Sequence, residues 1–412
     1  MRLPVCAALC LAVAAGRATA QVVFGGELRA RFESIDNEGW KSAEAEDTGL
    51  LRILLSADWR PAPRWRLFAQ LKAAVEGGRL GGPRSTDEDR LDVHQAFADL
   101  TAGALTFRLG RHELVFGSSR LVSNRKGPNV PRSFDGLSVL AGAGAWKLQG
   151  FATEPAKTRR GVFDDSPDRT SKFWGLYAVG PLRVLREASV DLYYLGLDRD
   201  QARYDQGAAP ELRETAGTRI WRTAAPWDYD FELVYQWGRF GTAPIRAWTV
   251  ASDSGYTWKD LAWQPRLGLK ADVTSGDRDP SDPRLQTFHP LFPRGAYFGE
   301  AALIGPQNHV DLHPSIEVKP LPRLSVNASW IFFWRESTHD GLYDIAGRVL
   351  RSGKGSGARY VGSQPALIVT ARLGQHVTLV ADLEYFLAGP YLRETGGGED
   401  LTFLASWVTI TF

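Results

Sequence analysis

The sequence predicts an all-β protein, a transmembrane antiparallel β-barrel of about 18 strands that forms a single domain. Segments of about ten residues alternate apolar and polar side chains, which is the pattern of a strand with two different faces. The links between these segments alternate between short turns and long polar loops. After residue 20, no window approaches the roughly 18 uninterrupted apolar residues of a membrane helix. A chain with this pattern that crosses a membrane must therefore do so with strands.

The final segment, residues 401–412, reads LTFLASWVTITF and ends on an aromatic side chain. Every second position forms one face, which is mostly apolar and consists of Phe412, Ile410, Val408, Ser406 and Leu404. A barrel has to pair its last strand with its first, because an unpaired backbone edge in lipid costs several kcal/mol per amide. A terminal strand that finishes in Phe also resembles the sorting signal of bacterial outer-membrane proteins. The alternative is an ordinary edge strand of a β-sandwich.

The first twenty residues have the pattern of a secretory signal peptide. Arg2 precedes an apolar run, and Ala18, Thr19 and Ala20 form an A-x-A cleavage pattern before Gln21. We therefore expect a signal peptide at 1–20 and a barrel at 21–412. Both cysteines of the chain, Cys6 and Cys10, fall in the signal peptide. The mature chain would have no thiol, which excludes disulfides, cysteine nucleophiles and cysteine metal ligands. Leu9 before Cys10 argues against a lipid anchor.

The first mature strand has one apolar and one charged face. Leu28, Ala30 and Phe32 alternate with the charged side chains of Glu27, Arg29, Arg31 and Glu33. A soluble core strand has no use for four charges on one face, whereas the water-filled lumen of a barrel does. The same alternation recurs at residues 50–59, 65–76, 231–237, 266–273, 324–335 and 376–387.

The connections predict which ends of the strands lie together. Short links are expected at 60–64, 101–104, 141–144, 319–323 and 374–375, and long loops at 34–48, 77–90, 114–134, 154–171, 198–216, 274–308, 337–358 and 389–400. Short turns on the periplasmic side and long loops outside are typical of outer-membrane barrels. An even strand number puts both termini on the periplasmic side. The weakest stretch is 212–262, which contains Pro226, Pro244 and a polar segment around Ser252, so the count could change by two strands.

Charge points to the lumen as the place of function. Without Arg2 and Arg17, the mature chain has 47 basic and 47 acidic residues, so its net charge gives no indication of a nucleic-acid partner. Of the 49 basic residues in the full chain, 39 are arginine. Guanidinium presents a planar fork of donors that matches a carboxylate and does not lose its proton, which suits weak, repeated capture of an anionic solute. Alternatively, these arginines pair with luminal Asp and Glu and only stiffen the wall.

The densest set of charges is GRHELVFGSSRLVSNRKGPNVPRSFDG at residues 110–136. A loop of this kind that folds into the lumen would form a basic constriction, although 274–308 is also long enough to do so. The GR-x-E-L, G-S-x-R-L, N-R and R-x-F-D-G elements resemble the alginate export family of outer-membrane barrels. Further similar segments are 287–299, 311–326, 332–337 and 388–407.

This resemblance implies an eighteen-stranded barrel whose arginine-lined constriction lets an anionic uronate polymer leave the periplasm. On that basis we expect Arg111, Arg120, Arg125 and Arg132 to act in selectivity, with Asp135 and Glu113 orienting them. The full set of candidate pore-lining residues is Arg29, Arg31, Arg52, Arg111, Glu113, Arg120, Arg125, Arg132, Asp135, Arg266, Lys270, Arg335, Arg372 and Arg393.

No cofactor and no metal are expected. His309, Asp311 and His313 share one strand face and could hold a metal ion, but polar residues at the rim of a strand explain them equally. An enzyme is not expected, because the chain has no G-x-S-x-G element, although a barrel enzyme acting on lipid or polysaccharide is the alternative from another class.

The expected function is passive passage of anionic solutes, uronate-type polysaccharides or related anions, through the outer membrane of a Gram-negative bacterium. The alternative is a weakly selective general porin whose luminal arginines are structural. Expected partners are outer-membrane lipid, the barrel assembly machinery and the anionic solute, and the barrel is expected to be a monomer.

Overall fold

Eighteen antiparallel strands close into a barrel in the part of the chain that the structure, a computed structural model, describes: residues 21–224, 226–279 and 281–412. Each strand pairs with the next along the chain, and the last strand pairs with the first, with Leu28 opposite Ile410. The strands are β1 Gln21–Ile35, β2 Glu46–Ala62, β3 Trp65–Gly77, β4 Asp89–Ala102, β5 Leu105–His112, β6 Phe134–Ala143, β7 Trp146–Lys157, β8 Ser171–Pro181, β9 Ser189–Tyr204, β10 Gly207–Arg222, β11 Trp227–Phe240, β12 Ala243–Thr257, β13 Arg266–Thr274, β14 His309–Leu321, β15 Leu324–Trp334, β16 Tyr360–Leu373, β17 Val377–Ala388 and β18 Leu401–Thr411. The predicted fold class and strand number are confirmed.

The region from 212 to 262 forms three regular strands, despite its prolines. Pro226 lies in the turn before β11, and Pro244 is the second residue of β12, so neither interrupts the middle of a ladder. One expected loop was wrong. Residues 198–216 are not a long loop, because β9 and β10 continue to pair up to Tyr204 and Gly207 and leave a two-residue tip. The remaining long links and the short turns lie where the sequence predicts them.

The alternating pattern separates the two faces of the wall as predicted. On β1 and β2, Phe32, Leu51 and Leu55 are exposed on the outer surface, whereas Arg29 and Arg52 are buried on the inner side. Since an apolar outer band is the surface that contacts acyl chains, lipid is the neighbour of this wall. The short turns and both ends of the described sheet, Gln21 and Thr411, lie together at one end of the barrel.

Several long loops fold back and fill much of the interior. One cluster of buried apolar residues joins loop residues such as Val122 and Phe288 to the wall at Phe173. A second cluster lies under the loop that carries the short helix Pro390–Glu394. The other small elements are a 3-10 turn at Glu38–Trp40, a two-residue strand at Ser166–Pro167 that pairs with the end of β7, and a hairpin of Leu342–Tyr343 with Val349–Arg351. The lumen is therefore narrowed by packed loops.

No helix in the described ranges is long and apolar enough to cross a membrane. The expected signal peptide at 1–20, with both cysteines, lies outside the described residues.

Candidate functional site

Two long loops meet inside the barrel. Loop A is residues 113–133, between β5 and β6, and loop B is residues 275–308, between β13 and β14. The backbone N–H of Ser123 donates to the carbonyl of Phe292 at 2.9 Å, and the N–H of Phe292 donates to Leu121 at 2.8 Å. The N–H of Arg294 donates to Ser119 at 3.1 Å. The sequence left open which loop turns inward, and the structure shows that both do, as one bonded unit.

Two wall arginines attach loop A to β1 and β2. Arg29 Nη1 donates to the carbonyls of Lys126 and Gly127 at 3.0 and 2.7 Å, and its Nη2 donates to Pro128 at 3.1 Å. Arg52 Nη1 donates to Lys126 and Pro128 at 2.9 and 3.0 Å. The two arginines lie opposite each other on neighbouring strands. Backbone oxygens of loop A therefore occupy the guanidinium N–H donors of Arg29 and Arg52, and these donors are not free to bind a solute.

A buried asparagine completes this attachment. Asn129 is fully buried, and the two N–H groups of its Nδ2 are shared among the carbonyls of Leu51, Val75 and Asp87, which lie 3.1, 3.1 and 2.9 Å away. Each buried acceptor left without a donor costs about 1–3 kcal/mol. Loop A is thus bonded through one side chain to two strands and to the loop between β3 and β4.

Three arginines at the junction of the loops have no carboxylate within 4 Å among the described residues. We call Arg125, Arg132 and Arg294 the arginine cluster. Arg125 Nη2 donates to Val130 O at 3.3 Å, and Arg132 Nη1 makes a long contact of 3.5 Å to the carbonyl of Pro293. Arg294 Nη2 donates to Tyr297 O at 3.3 Å. All three are half-buried, and the Nε atoms of Arg125 and Arg294 have no hydrogen-bond partner. These two Nε atoms are buried, and the charge and the free donors of the cluster lie on the Nη atoms that make no contact with a carbonyl.

The surroundings of the arginine cluster disfavour its positive charge. Burial lowers the pKa of Arg125 to about 10, and Asp87 opposes this effect only partly. Burial and the neighbouring charge of Arg125 together hold the pKa of Arg132 well below its usual range. An anion placed between them would relieve both effects, since an opposite charge stabilises the charged form.

Other luminal basic side chains are neutralised by carboxylates on the strands of the wall. Arg111 binds Asp135 through Nε and Nη2 at 2.8 and 3.0 Å across the β5–β6 pair. Gly110 lies next to it at φ +126°, where a Cβ would come within 2.2 Å of a backbone oxygen, so only glycine fits. Further pairs include Arg120 of loop A with Asp230 and Glu232 at 3.3 Å, Arg219 with Asp230 at 2.7 Å, Arg266 with Asp228 at 2.9 Å and Lys270 with Asp253 at 3.5 Å.

The carboxylates expected to orient arginines differ in what they contact. Asp135 holds Arg111, as described above. Glu113 instead accepts from Asn124 Nδ2 at 2.8 Å and lies 2.8 Å from His94 Nε2. Arg31 is ion-paired with Glu33 and Glu300 at 2.6 Å each, which connects β1 to loop B.

Three further candidates lie away from the loop junction. Arg335 is fully buried and donates to loop carbonyls, among them Thr338 O at 2.9 Å and Ser356 O at 2.9 Å, with Tyr391 stacked 3.9 Å away. Arg372 is exposed near the short-turn end of β16, and Arg393 is exposed in the short helix at the opposite end. The structure therefore brings together Arg125 and Arg132, and leaves these three elsewhere.

Sequence reasoning missed Arg294 and Asn129. Arg294 falls in the TFHPLFPRGAYFG segment, so its signal was present as an arginine in the second long loop. Asn129 is one polar residue among several in loop A, and nothing in the sequence distinguishes it.

Of the three residues that the sequence suggested as metal ligands, His309, Asp311 and His313, the structure brings only the first two together. His309 and Asp311 contact each other, but the third nearby ligand atom comes from Asp272 on β13. His313 points along the same face one pair further down, opposite Lys270.

Together, the closed barrel, its apolar outer band and its loop-narrowed lumen define a channel-forming outer-membrane protein of the porin class. The sequence profile described as alginate export matches residues 20–403, and the chain belongs to the alginate export family. No curated protein sequence matches the chain.

Solved porin structures share the fold at low sequence identity. OccK11 (OpdR) of Pseudomonas aeruginosa is 13% identical, with 95% of this chain and 96% of that chain covered and a TM-score of 0.62. OccAB1 of Acinetobacter baumannii is 12% identical, with 95% and 96% covered and a TM-score of 0.63. OccK2 (OpdF) of Pseudomonas aeruginosa, solved in complex with glucuronate, is 12% identical, with 94% and 98% covered and a TM-score of 0.62.

Proposed function

We propose that this barrel is a passive channel for anionic solutes in the outer membrane of a Gram-negative bacterium, and that the arginine cluster is its selectivity site. The observation that carries the proposal is the contrast in ion pairing. Arg125, Arg132 and Arg294 meet where two inward loops join, and no described carboxylate lies within salt-bridge distance of them. Their positive charge is thus available to a passing solute.

Partial burial makes such a site effective without making it tight. A half-buried guanidinium interacts more strongly with an anion than an exposed one, because less water screens the pair. The Nη groups of these arginines that do not bond loop carbonyls supply donors for a carboxylate. Conduction requires a site that attracts the ion but also releases it, and the loop carbonyls that share these forks limit the affinity.

The solute class we favour is a carboxylated carbohydrate, a uronate or an oligomer of uronates. Family membership supports this choice, and the similar barrel OccK2 was solved with glucuronate. A uronate polymer has one carboxylate per sugar, so a set of unpaired arginines can bind it transiently as it passes. Movement down a gradient needs no nucleotide.

A general porin with structural arginines is the second candidate. It is favoured by the extensive pairing on the wall, where Arg111, Arg219 and Arg266 are all held by aspartates. In that case the pore would discriminate mainly by size.

The deciding experiment is the reversal potential of the refolded mature protein in a planar bilayer under a KCl gradient. Wild type is expected to prefer anions, and added glucuronate or oligouronate is expected to block the current. R125Q/R132Q should lose most of this preference and the block. The matched control is R372Q/R393Q, which also removes two positive charges, but from exposed positions away from the arginine cluster, and it should behave as wild type.

Each outcome decides between the two candidates. Equal anion preference in wild type and R125Q/R132Q would reject the arginine cluster as the selectivity site. Weak selectivity and no uronate block in wild type would establish the general porin. Loss of preference in the control as well would mean that overall charge, and not the arginine cluster, sets selectivity.

The remaining features follow from the barrel. We propose that residues 1–20 are removed on export, that the assembly machinery recognises the last strand, and that the barrel works as a monomer. Amino-terminal sequencing of protein from the outer membrane should begin at Gln21. A mass corresponding to a dimer or trimer in mild detergent would contradict the monomer.

A further inference from the structure

We infer that Asp272, His309 and Asp311 form a binding site for one divalent transition-metal ion, such as Zn²⁺, on the inner wall of the barrel. One imidazole nitrogen and one oxygen from each carboxylate lie within 4.8 Å of one another. That spacing suits ligands around one ion, whose bonds to nitrogen and oxygen are about 2.0–2.2 Å long. The inference is independent of the proposed transport function.

Strand register creates the site. Asp272 on β13 is directly opposite Asp311 on β14, and His309 lies two residues before Asp311 on the same face. All three side chains are at least 95% buried. Two buried carboxylates at neighbouring positions repel each other unless a cation or a proton lies between them.

No lysine or arginine of the described chain forms an ion pair with these two carboxylates. Arg120 and Lys270 line the same cavity and partly offset the two negative charges from beyond 4 Å, while their direct contacts are to Asp230 and Glu232 and to Asp253. This differs from the other buried acidic trio, Asp89, Asp92 and Asp165, where Lys72 Nζ lies 2.7 Å from two of the carboxylates. The lysine there makes the direct ion pairs that the first trio lacks.

The histidine provides a second observation. His309 is 1% exposed, its Nε2 lies 3.0 Å from Asp311 Oδ1, and its Nδ1 has no hydrogen-bond partner. Because no acceptor or donor fixes the state of Nδ1, the ring can carry its proton there and offer the lone pair of Nε2, which faces Asp311, to a metal ion. An imidazole ligand favours Zn²⁺ and its neighbours over Ca²⁺ or Mg²⁺, which prefer oxygen.

Neighbouring side chains shape and hold the site. Tyr297 OH donates to Asp272 Oδ2 at 3.2 Å, and the ring of Phe298 packs edge-on against His309 with centroids 5.0 Å apart. A small cavity of about 60 Å³ is lined by Asp272, Asp311 and His313, so there is space for an ion next to the carboxylates. Both Tyr297 and Phe298 belong to loop B, and a bound ion would therefore join β13, β14 and loop B.

The test is calorimetric titration of tag-free, EDTA-treated protein in detergent with Zn²⁺ and, separately, Ca²⁺. We expect one Zn²⁺ per chain, weaker or no Ca²⁺ binding, and a rise in Tm with Zn²⁺. D272N/D311N should weaken Zn²⁺ binding at least about tenfold. The control D99N removes a buried carboxylate that pairs with Arg108 at 2.8 Å across β4 and β5, away from the site, and should bind as wild type.

A second measurement avoids dependence on a variant that fails to fold. X-ray absorption of the zinc-loaded wild type should show one imidazole among light-atom ligands. Absence of Zn²⁺ binding to wild type would overturn the site and leave a shared proton as the neutralising group. Unchanged binding in a folded D272N/D311N would equally overturn it.

Discussion

The arginines of the barrel wall and those of the loop junction have the same chemistry but opposite environments. On the wall, Arg111 and Arg219 lie flat against aspartates on adjacent strands, with both ends of the fork engaged. At the loop junction, Arg125 and Arg132 make only single long contacts to backbone oxygens. The number of arginines in a lumen therefore does not determine the electrostatic potential that a solute meets there. An arginine paired with a carboxylate contributes only a dipole, whereas an unpaired arginine contributes a net positive charge.

The difference follows from how each position is built. Strand pairing places residues of neighbouring strands directly opposite each other, so an aspartate across the ladder can neutralise an arginine. Loop A has no such ladder beside its tip. Its attachment by Arg29, Arg52 and Asn129 leaves Arg125 and Arg132 without a carboxylate partner. Arg120 of the same loop does reach carboxylates, because it lies next to Asp230 and Glu232 on β11.

The largest expected effect comes from detaching the loop junction from the wall. N129A removes the amide that contacts three carbonyls, and we expect the segment of loop A around residue 129 to move away from the wall, so that single-channel conductance rises and anion preference falls. Single-channel recording measures both. The control is N327A, since Asn327 lies on the inner wall and makes no side-chain hydrogen bond within the described residues. Wild-type conductance in a folded N129A would show that loop A is held without Asn129.

The next effect concerns the stability of the wall pairs. R111M leaves Asp135 without its partner and should lower the free energy of unfolding by about 2 kcal/mol, because a half-buried carboxylate loses two charge-assisted hydrogen bonds. R111M/D135L should recover most of this loss. Urea unfolding of the refolded barrel measures both variants. Additive losses in the double variant would mean that the two residues do not act as a pair.

The smallest effect should be on the stability of the arginine cluster. R125Q/R132Q removes two like charges that disfavour each other, so the free energy of unfolding should stay within about 1 kcal/mol of wild type or rise. The same urea titration applies, with R111M as the comparison. A loss as large as that of R111M would show that these arginines are structural, as in the general porin.

Most of the fold follows from the sequence for a physical reason. A strand between lipid and water has to alternate apolar and polar side chains. The sequence alone therefore shows that Leu51 faces outward and Arg52 faces the lumen. The wrong prediction of a long loop at 198–216 also follows from this dependence on the membrane. β9 and β10 extend beyond the membrane, where both faces of a hairpin can be polar and the alternation no longer marks it.

The site was less predictable, because pairing depends on contacts between distant residues. Arg335 lies at the end of a strand like other luminal candidates, yet it binds loop carbonyls and is fully buried. His313 shares a face with His309 and Asp311, but the cross-strand register brings Asp272 to them instead. Neither outcome can be obtained from spacing along one strand.

The attachment of loop A through its backbone carbonyls also affects how such channels can diversify. Arg29 and Arg52 recognise the carbonyl oxygens of 126–128, and every amino acid supplies such an oxygen at those positions. Substitutions in the loop can change which solute is preferred while the loop stays in place. Arg29 and Arg52 of the wall therefore hold loop A in the same position for many different loop sequences. A single substitution in the loop can change the solute preference without loss of the barrel fold.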